Sequence, residues 1–224
     1  DGKGEQIMKG LLVKDFKLMK LQKNFFLLIV VIAVSMIAFT DDVTFPLGFL
    51  TFVISLFTLS TISYDEFDNG NAFLFTLPIT RTNYVVEKYC LSLLLGCSTW
   101  IAATVLTMIA SILKSTFPVA DIMLIALMIL PIMIMIQAIM IPFQLKFGGE
   151  KGRIALIGVI GLVFLIGAVI VKGAEMIGID IINMINTLPV ISMGMLIMII
   201  LAAAIVIFLI SLKISIRIMN KKEF

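Results

Sequence analysis

Six long apolar runs constrain this chain more than any other feature: residues 25–40, 45–63, 85–113, 122–145, 154–171 and 190–212. A helix needs about 20 apolar residues to cross ~30 Å of hydrocarbon, and each run approaches or exceeds that length. The first is short, and is expected to borrow Leu21 or to thin the bilayer locally. No run alternates with period two, and all exceed the roughly ten residues of a barrel strand, so a membrane β-barrel is excluded. Hydrophobic residues make up 61% of the chain and charged ones 14%, too little polar surface to clothe a soluble core. The expectation is an all-α, polytopic membrane protein: six transmembrane helices in a single domain over residues 8–224.

Charge placement orients the bundle. With the N-terminus cytoplasmic, fifteen of the 17 Lys and Arg residues lie inside, and only Lys114 and Lys172 lie outside. The positive-inside rule then predicts that both termini are cytoplasmic. Basic charge here serves topology and lipid contact; nucleic acid is not an expected partner.

Residues 1–7 precede the first methionine, Met8, and read as a cloning remnant outside the fold. The first apolar run follows a long basic segment and lacks a small-residue cleavage site, so no cleavable signal peptide is expected. Residues 8–23 place Leu12, Phe16 and Met19, with Met8 and Leu11, on one helical face, opposite Lys9, Lys17 and Lys20. That pattern predicts an interfacial helix with lysines near anionic lipid phosphates.

The most informative interruption is residues 64–89, YDEFDNGNAFLFTLPITRTNYVVEKY. After Tyr64, Asp65 and Glu66 comes an expected tight turn at Asp68-Asn69-Gly70-Asn71, with Asn-Gly supplying positive φ. Phe73, Leu74, Phe75 and Leu77 restore apolar character, and Pro78 ends any helix begun there. Thr80 or Thr82 can cap the next one. A loop with this much aromatic surface is expected to lie against a second protein. Asp65 and Glu66 close the second run, where the helix dipole disfavours negative charge. Arg81, Lys88 or an N-terminal lysine is therefore expected to brace them.

Tyr-Asp-Glu, then Leu-Pro-x-Thr-Arg, then Val-x-Lys-Tyr (Tyr64, Asp65, Glu66; Leu77, Pro78, Arg81; Val86, Lys88, Tyr89) resembles the small permease subunits of ABC transporters of the type-two export class. The resemblance implies that this segment docks on a separate ATPase. Tyr64, Asp65, Glu66, Phe73, Phe75, Leu77, Pro78, Ile79, Thr80, Arg81 and Lys88 are then the coupling residues. It further implies two ABC ATPase subunits as partners, which bind the ATP and magnesium, so that this chain carries no cofactor. A second permease copy, in a homodimer or a pseudo-symmetric heterodimer, would complete the path in a bacterial cell membrane. An amphipathic or lipid-like cargo is implied, with exporters of phenol-soluble modulins and antimicrobial peptides the nearest in size. In that family the N-terminal helix also braces the ATPase, and residues 173–189 correspond to the outer closing helices; their Ile177, Ile181, Met184, Ile185 and Leu188 form one apolar stripe.

Within the runs, Cys90 and Cys97 share a face and are expected to be reduced packing residues. Gln137 needs a partner, and Pro131 and Pro142 are expected to kink the fourth span. The fourth span is methionine-rich, and Met128, Met135 and Gln137 are candidate substrate-path residues. Ala155, Gly158, Gly161 and Gly167 permit close helix approach, between copies or within the bundle.

There is no histidine, which removes His-based metalloprotease and proton-shuttle chemistry. Gly148-Gly149-Glu150-Lys151-Gly152-Arg153 has the wrong order for a phosphate loop, and no nucleophile elbow is found. No acidic residue sits deep within a run, so an ion-coupled carrier lacks its usual ligand. The chain is therefore expected not to be an enzyme. A permease subunit is the leading reading; a non-transporting immunity or sensor-scaffold protein is the alternative.

Overall fold

A computed structural model describes residues 2–40, 42, 44–67, 70–176 and 192–222 (for 2–5, 150, 152–156, 159–168, 170, 171 and 174–176, the helical backbone only). Among the described residues the helices are, in chain order, α1 Gly2–Leu21, α2 Lys23–Phe39, α3 Thr44–Ser55, α4 Phe57–Glu66, α5 Gly70–Leu74, α6 Arg81–Lys114, α7 Val119–Met176 (broken at Gly148) and α8 Met193–Lys221. No strand occurs among the described residues.

Four stretches of these residues are long and apolar enough to span a membrane: Thr44–Glu66, Arg81–Lys114, Val119–Gly149 and Met193–Lys221. A fifth is added if Gln6–Leu21 and Lys23–Phe39, bent by 65°, count as one broken span. Four or five of the expected six are thus found among the described residues. The run 154–171 lies in the helix that continues to Met176, and its side chains lie largely outside the description. Leu27, Val31, Ile112, Met198, Val206 and Leu209 stay exposed on α2, α6 and α8, a cover suited to hydrocarbon and not to water.

The bend between α1 and α2 falls at Gln22, which leaves helical geometry at φ −95°, ψ 23°. It separates the basic segment from the first apolar run where the sequence changes character. Residues 2–7, expected to lie outside the fold, continue the same helix. Its Leu11, Leu12 and Met19 pack on the bundle, whereas Phe16 is 45% exposed.

α3 and α4 form one span interrupted at Leu56. Thr51, Ser55 and Thr61 each donate to a carbonyl three or four residues back, a local competition that bends helices. On α7 both prolines keep helical backbone angles. The helix runs through Pro131 and Pro142, and only Gly148, at φ 79° and ψ 177°, departs from it. Proline's fixed φ is itself helical, while a left-handed φ favours glycine.

The two larger of the three buried clusters among the described residues lie toward opposite ends of the bundle. Ile29, Leu47, Leu50, Ala103, Ile122 and Ala126 pack at one end; Ile62, Tyr84, Tyr89, Met133, Ile141 and Phe208 pack toward the other. Gly96 makes the α6–α7 approach feasible, since a Cβ there would lie 2.4 Å from the sulfur of Met133. Lys114 caps the first end by donating to the carbonyls of Ala38 and Thr40. The opposite end gathers Lys14, Arg81, Lys88 and Lys222, and is called the basic end below.

Candidate functional site at the basic end of the bundle

α6 is 34 residues long, about 51 Å at ~1.5 Å per residue, against a ~30 Å hydrocarbon core. Its first turns extend the bundle at the basic end. Thr80 starts it as the cap, its hydroxyl accepting from Asn83 N at 3.1 Å. One turn in, Tyr84 and Lys88 sit on the same inward face, and both are fully buried.

The Lys88 ammonium uses its donors on three partners from two other helices. It bonds Asp15 Oδ2 on α1, and on α4 it lies 2.8 Å from Asp65 Oδ2 and 3.1 Å from Thr61 Oγ1. Tyr84 donates its hydroxyl to Asp65 Oδ2 at 3.2 Å. Lys14 pairs with Asp65 Oδ1 and lies 3.2 Å from Asp15. Away from water such pairs hold only when geometry and hydrogen bonds offset desolvation. This one is met by contacts from three helices, so α1, α4 and α6 are tied at one point. Glu87 is also fully buried, and neither of its oxygens receives a hydrogen bond.

A second tie reaches the C-terminal helix. Lys222 lies 2.7 Å from Glu66 Oε1 and donates to Leu145 O at 3.1 Å. Arg81 donates to the carbonyls of Met219 and Asn220 at 3.2 and 2.9 Å. Deeper, the Tyr89 hydroxyl lies 2.6 Å from Ser211 Oγ and 2.8 Å from Ser215 Oγ, joining α6 to α8.

Between these ties lies residues 70–80. Its inner side is anchored: Leu74, Phe75 and Ile79 pack on the core, and Phe75 meets the Tyr84 ring edge-on at 5.7 Å. The outer side is displayed. Phe73 is 70% exposed, Leu77 44%, and Pro78 and Thr80 are exposed beside them. Gly70 opens α5 where a Cβ would come within 2.8 Å of Asp65 O. Close approach, not the expected positive φ, explains the glycine; residues 68 and 69 lie outside the description.

Compared with known families, residues 10–220 match the model of the ABC-2 family transporter proteins. The chain belongs to that family. No curated protein and no solved structure matches it.

For this ABC-2 permease, a multi-pass membrane component of an ABC transporter, the expected coupling residues divide by exposure. Tyr64, Phe73, Leu77, Pro78 and Thr80 are exposed; Phe75, Ile79 and Arg81 are half-buried. Asp65 and Glu66 face inward to their lysines, and Lys88 is an internal anchor rather than surface. The brace for Glu66 is Lys222, which the sequence did not single out. Tyr64 accepts from Gln22 at the α1–α2 bend.

The three candidate substrate-path residues of the ABC-2 permease do not converge. Gln137 is buried and donates to Ser92 O at 3.0 Å, Met135 packs against the core, and Met128 is 37% exposed. Cys90 is exposed rather than packed. Gly158 has open space around it, so no neighbour uses that small-residue position among the described residues. Most of the outer segment 173–189, including all five residues of its apolar stripe, lies outside the description.

Asp15 and Glu87 were missed. Asp15 had a signal: it is the lone acid in MKGLLVKDFKLMKLQK, four residues after Leu11 and four before Met19 on the apolar face. A charge on such a face needs a buried partner.

Proposed function

We propose that this permease drives ATP-powered export of amphipathic or hydrophobic substrates, peptides among them, with residues 64–89 as the dock for a separate ATPase. One observation carries this reading. The exposed apolar surface of Phe73, Leu77 and Pro78 stands on a segment fixed at both ends by ion pairs, Asp65 with Lys88 and Glu66 with Lys222. A partner pressing on such a surface moves α1, α4, α6 and α8 together instead of a loose loop.

In this reading the basic end faces the cytoplasm of a bacterial cell, by the charge asymmetry. Two ATPase subunits bind ATP and magnesium and pull on the docks of two permease copies, here taken as a homodimer. This chain contributes no hydrolytic group. Closure of the ATPases would shift the paired bundles between inward-open and outward-open arrangements.

The test is co-purification with co-expressed phosphate-loop ABC ATPase subunits from the same organism, then ATP hydrolysis after reconstitution. The expected result is a stable complex whose hydrolysis rises with amphipathic peptides. Failure of a well-folded preparation to bind any such ATPase would overturn the reading in favour of a scaffold or immunity protein.

A further inference from the structure

Two neighbouring hollows at the basic end have opposite character and share two residues. One is a lateral groove of about 390 Å³ between α7 and α8, walled by Ile139, Phe143, Ile207, Ile210 and Ile214. Ile139, Ile207, Ile210 and Ile214 are between 38% and 52% exposed, so the groove opens to the side of the bundle, where acyl chains lie. The other is a polar pocket of about 460 Å³ lined by Glu66, Asn71, Lys146, Gly148 and Lys222. Lys146 and Phe147 belong to both, and they form the threshold between apolar and polar space.

The pocket exists because α7 breaks there. At Gly148 the backbone turns to φ 79°, and a Cβ would sit 3.1 Å from Glu66 Oε2. The polar groups around it are unequally served. Lys222 is paired with Glu66. The Lys146 ammonium lies over the Phe147 ring at 4.9 Å and, among the described residues, pairs with no carboxylate. Asn71 is 96% buried on the pocket wall, and its Oδ1 accepts no hydrogen bond. A cation in want of an anion and an acceptor in want of a donor thus lie at the mouth of an acyl-sized groove.

We propose that this continuous groove and pocket bind one anionic glycerophospholipid. An acyl chain lies along Ile207, Ile210 and Ile214, the phosphate sits at Lys146, and a headgroup hydroxyl is offered toward Asn71 and Glu66. Charge complementarity selects the lipid. Lys146 supplies a positive charge that no carboxylate among the described residues pairs with, and basic pockets between spans are recognised sites for acidic headgroups. The site does not depend on ATPase docking. An occupant there bridges α4, α7 and α8 beside the Glu66–Lys222 pair.

The test uses the full chain in nanodiscs, with Trp100→Phe removing the single tryptophan and Ile214→Trp placing one in the groove. Bromine-labelled phosphatidylglycerol and bromine-labelled phosphatidylcholine are compared as quenchers at equal mole fraction. Phosphatidylglycerol is expected to quench preferentially. Lys146→Gln should reduce that preference about fivefold, the worth of one lysine near a phosphate. Lys146→Arg should retain it, and Lys213→Gln, outside the pocket, should leave it unchanged. Native mass spectrometry of the unaltered chain should show phosphatidylglycerol retained over phosphatidylcholine. Equal quenching by both lipids, no quenching by either, or indifference to Lys146→Gln would overturn the site.

Discussion

Asp15 and Lys88, 73 positions apart in sequence, form an ion pair with both side chains shielded from solvent. The pair joins an otherwise surface-seeking basic helix to the start of the longest regular span. Removing either partner strands a buried charge, a loss of about 3–5 kcal/mol. Asp15→Ala and Lys88→Ala are each expected to lower the thermal midpoint in detergent. Asp15→Leu with Lys88→Met should recover much of the loss. A double variant as unstable as the sum of its parts would count against the pair as the tie.

Glu87 stands apart from its neighbours. Three carboxylates (Asp15, Asp65, Glu87) share the cluster with two ammonium groups (Lys14, Lys88), and Lys88 lies 3.7 Å from Glu87 without a hydrogen bond to it. Replacing a buried carboxyl that receives no hydrogen bond with a neutral amide lowers the desolvation cost, by an amount of order 1 kcal/mol. Glu87→Gln is therefore expected to keep or raise the unfolding midpoint, unlike Asp65→Asn, which should lower it.

Gly148 and Gly158 offer a paired comparison on α7. Alanine at Gly148 must hold a left-handed φ and crowd Glu66, at about 1–2 kcal/mol. Alanine at Gly158 enters open space on a helix and should stabilise by up to about 1 kcal/mol. Opposite signs in thermal unfolding are expected.

Asp42, outside the spans, precedes α3 and bonds its first turn. Its Oδ1 accepts from Thr44 N at 2.8 Å, from the Thr44 hydroxyl, and from Phe45 N at 3.4 Å. The Thr44 bonds hold the carboxyl below the ordinary carboxylate range. A depressed folded value means this stabilisation is complete above the unfolded pKa of about 4 and is lost as pH falls through the folded value. Asp42→Asn should remove that acid-side part of the stability profile and leave the neutral-pH midpoint almost unchanged, because asparagine still caps.

Phe73 and Arg81 separate docking from support. Phe73 is displayed and Arg81 holds the end of α8. If residues 64–89 meet the ATPase, Phe73→Ala should weaken binding about tenfold or more, as for an aromatic anchor, with the midpoint unmoved. Arg81→Ala should instead leave binding near normal and reduce the peptide-stimulated rate. Unchanged binding in Phe73→Ala would remove that residue from the dock.

The membrane class, the helical content and the position of the polar insert were legible in the chain because run length and charge are local properties. So was the Thr80 cap, since a cap needs only its own turn. The α1–α2 bend falls where lysines give way to leucines and phenylalanines, and that too is a local change. What tertiary structure decided is which charges meet. Lys88 sits on an apolar helix start and Asp15 on a basic one, and nothing nearby in either segment identifies the partner. Glu66 finds Lys222 from the far end of the chain. Desolvation makes a buried charge costly until a partner arrives, so sequence can announce the need, and only packing of distant helices chooses what meets it. The break at Gly148 obeys the same rule: the two prolines keep a helical φ, while the close passage of Glu66 favours the one residue without a Cβ.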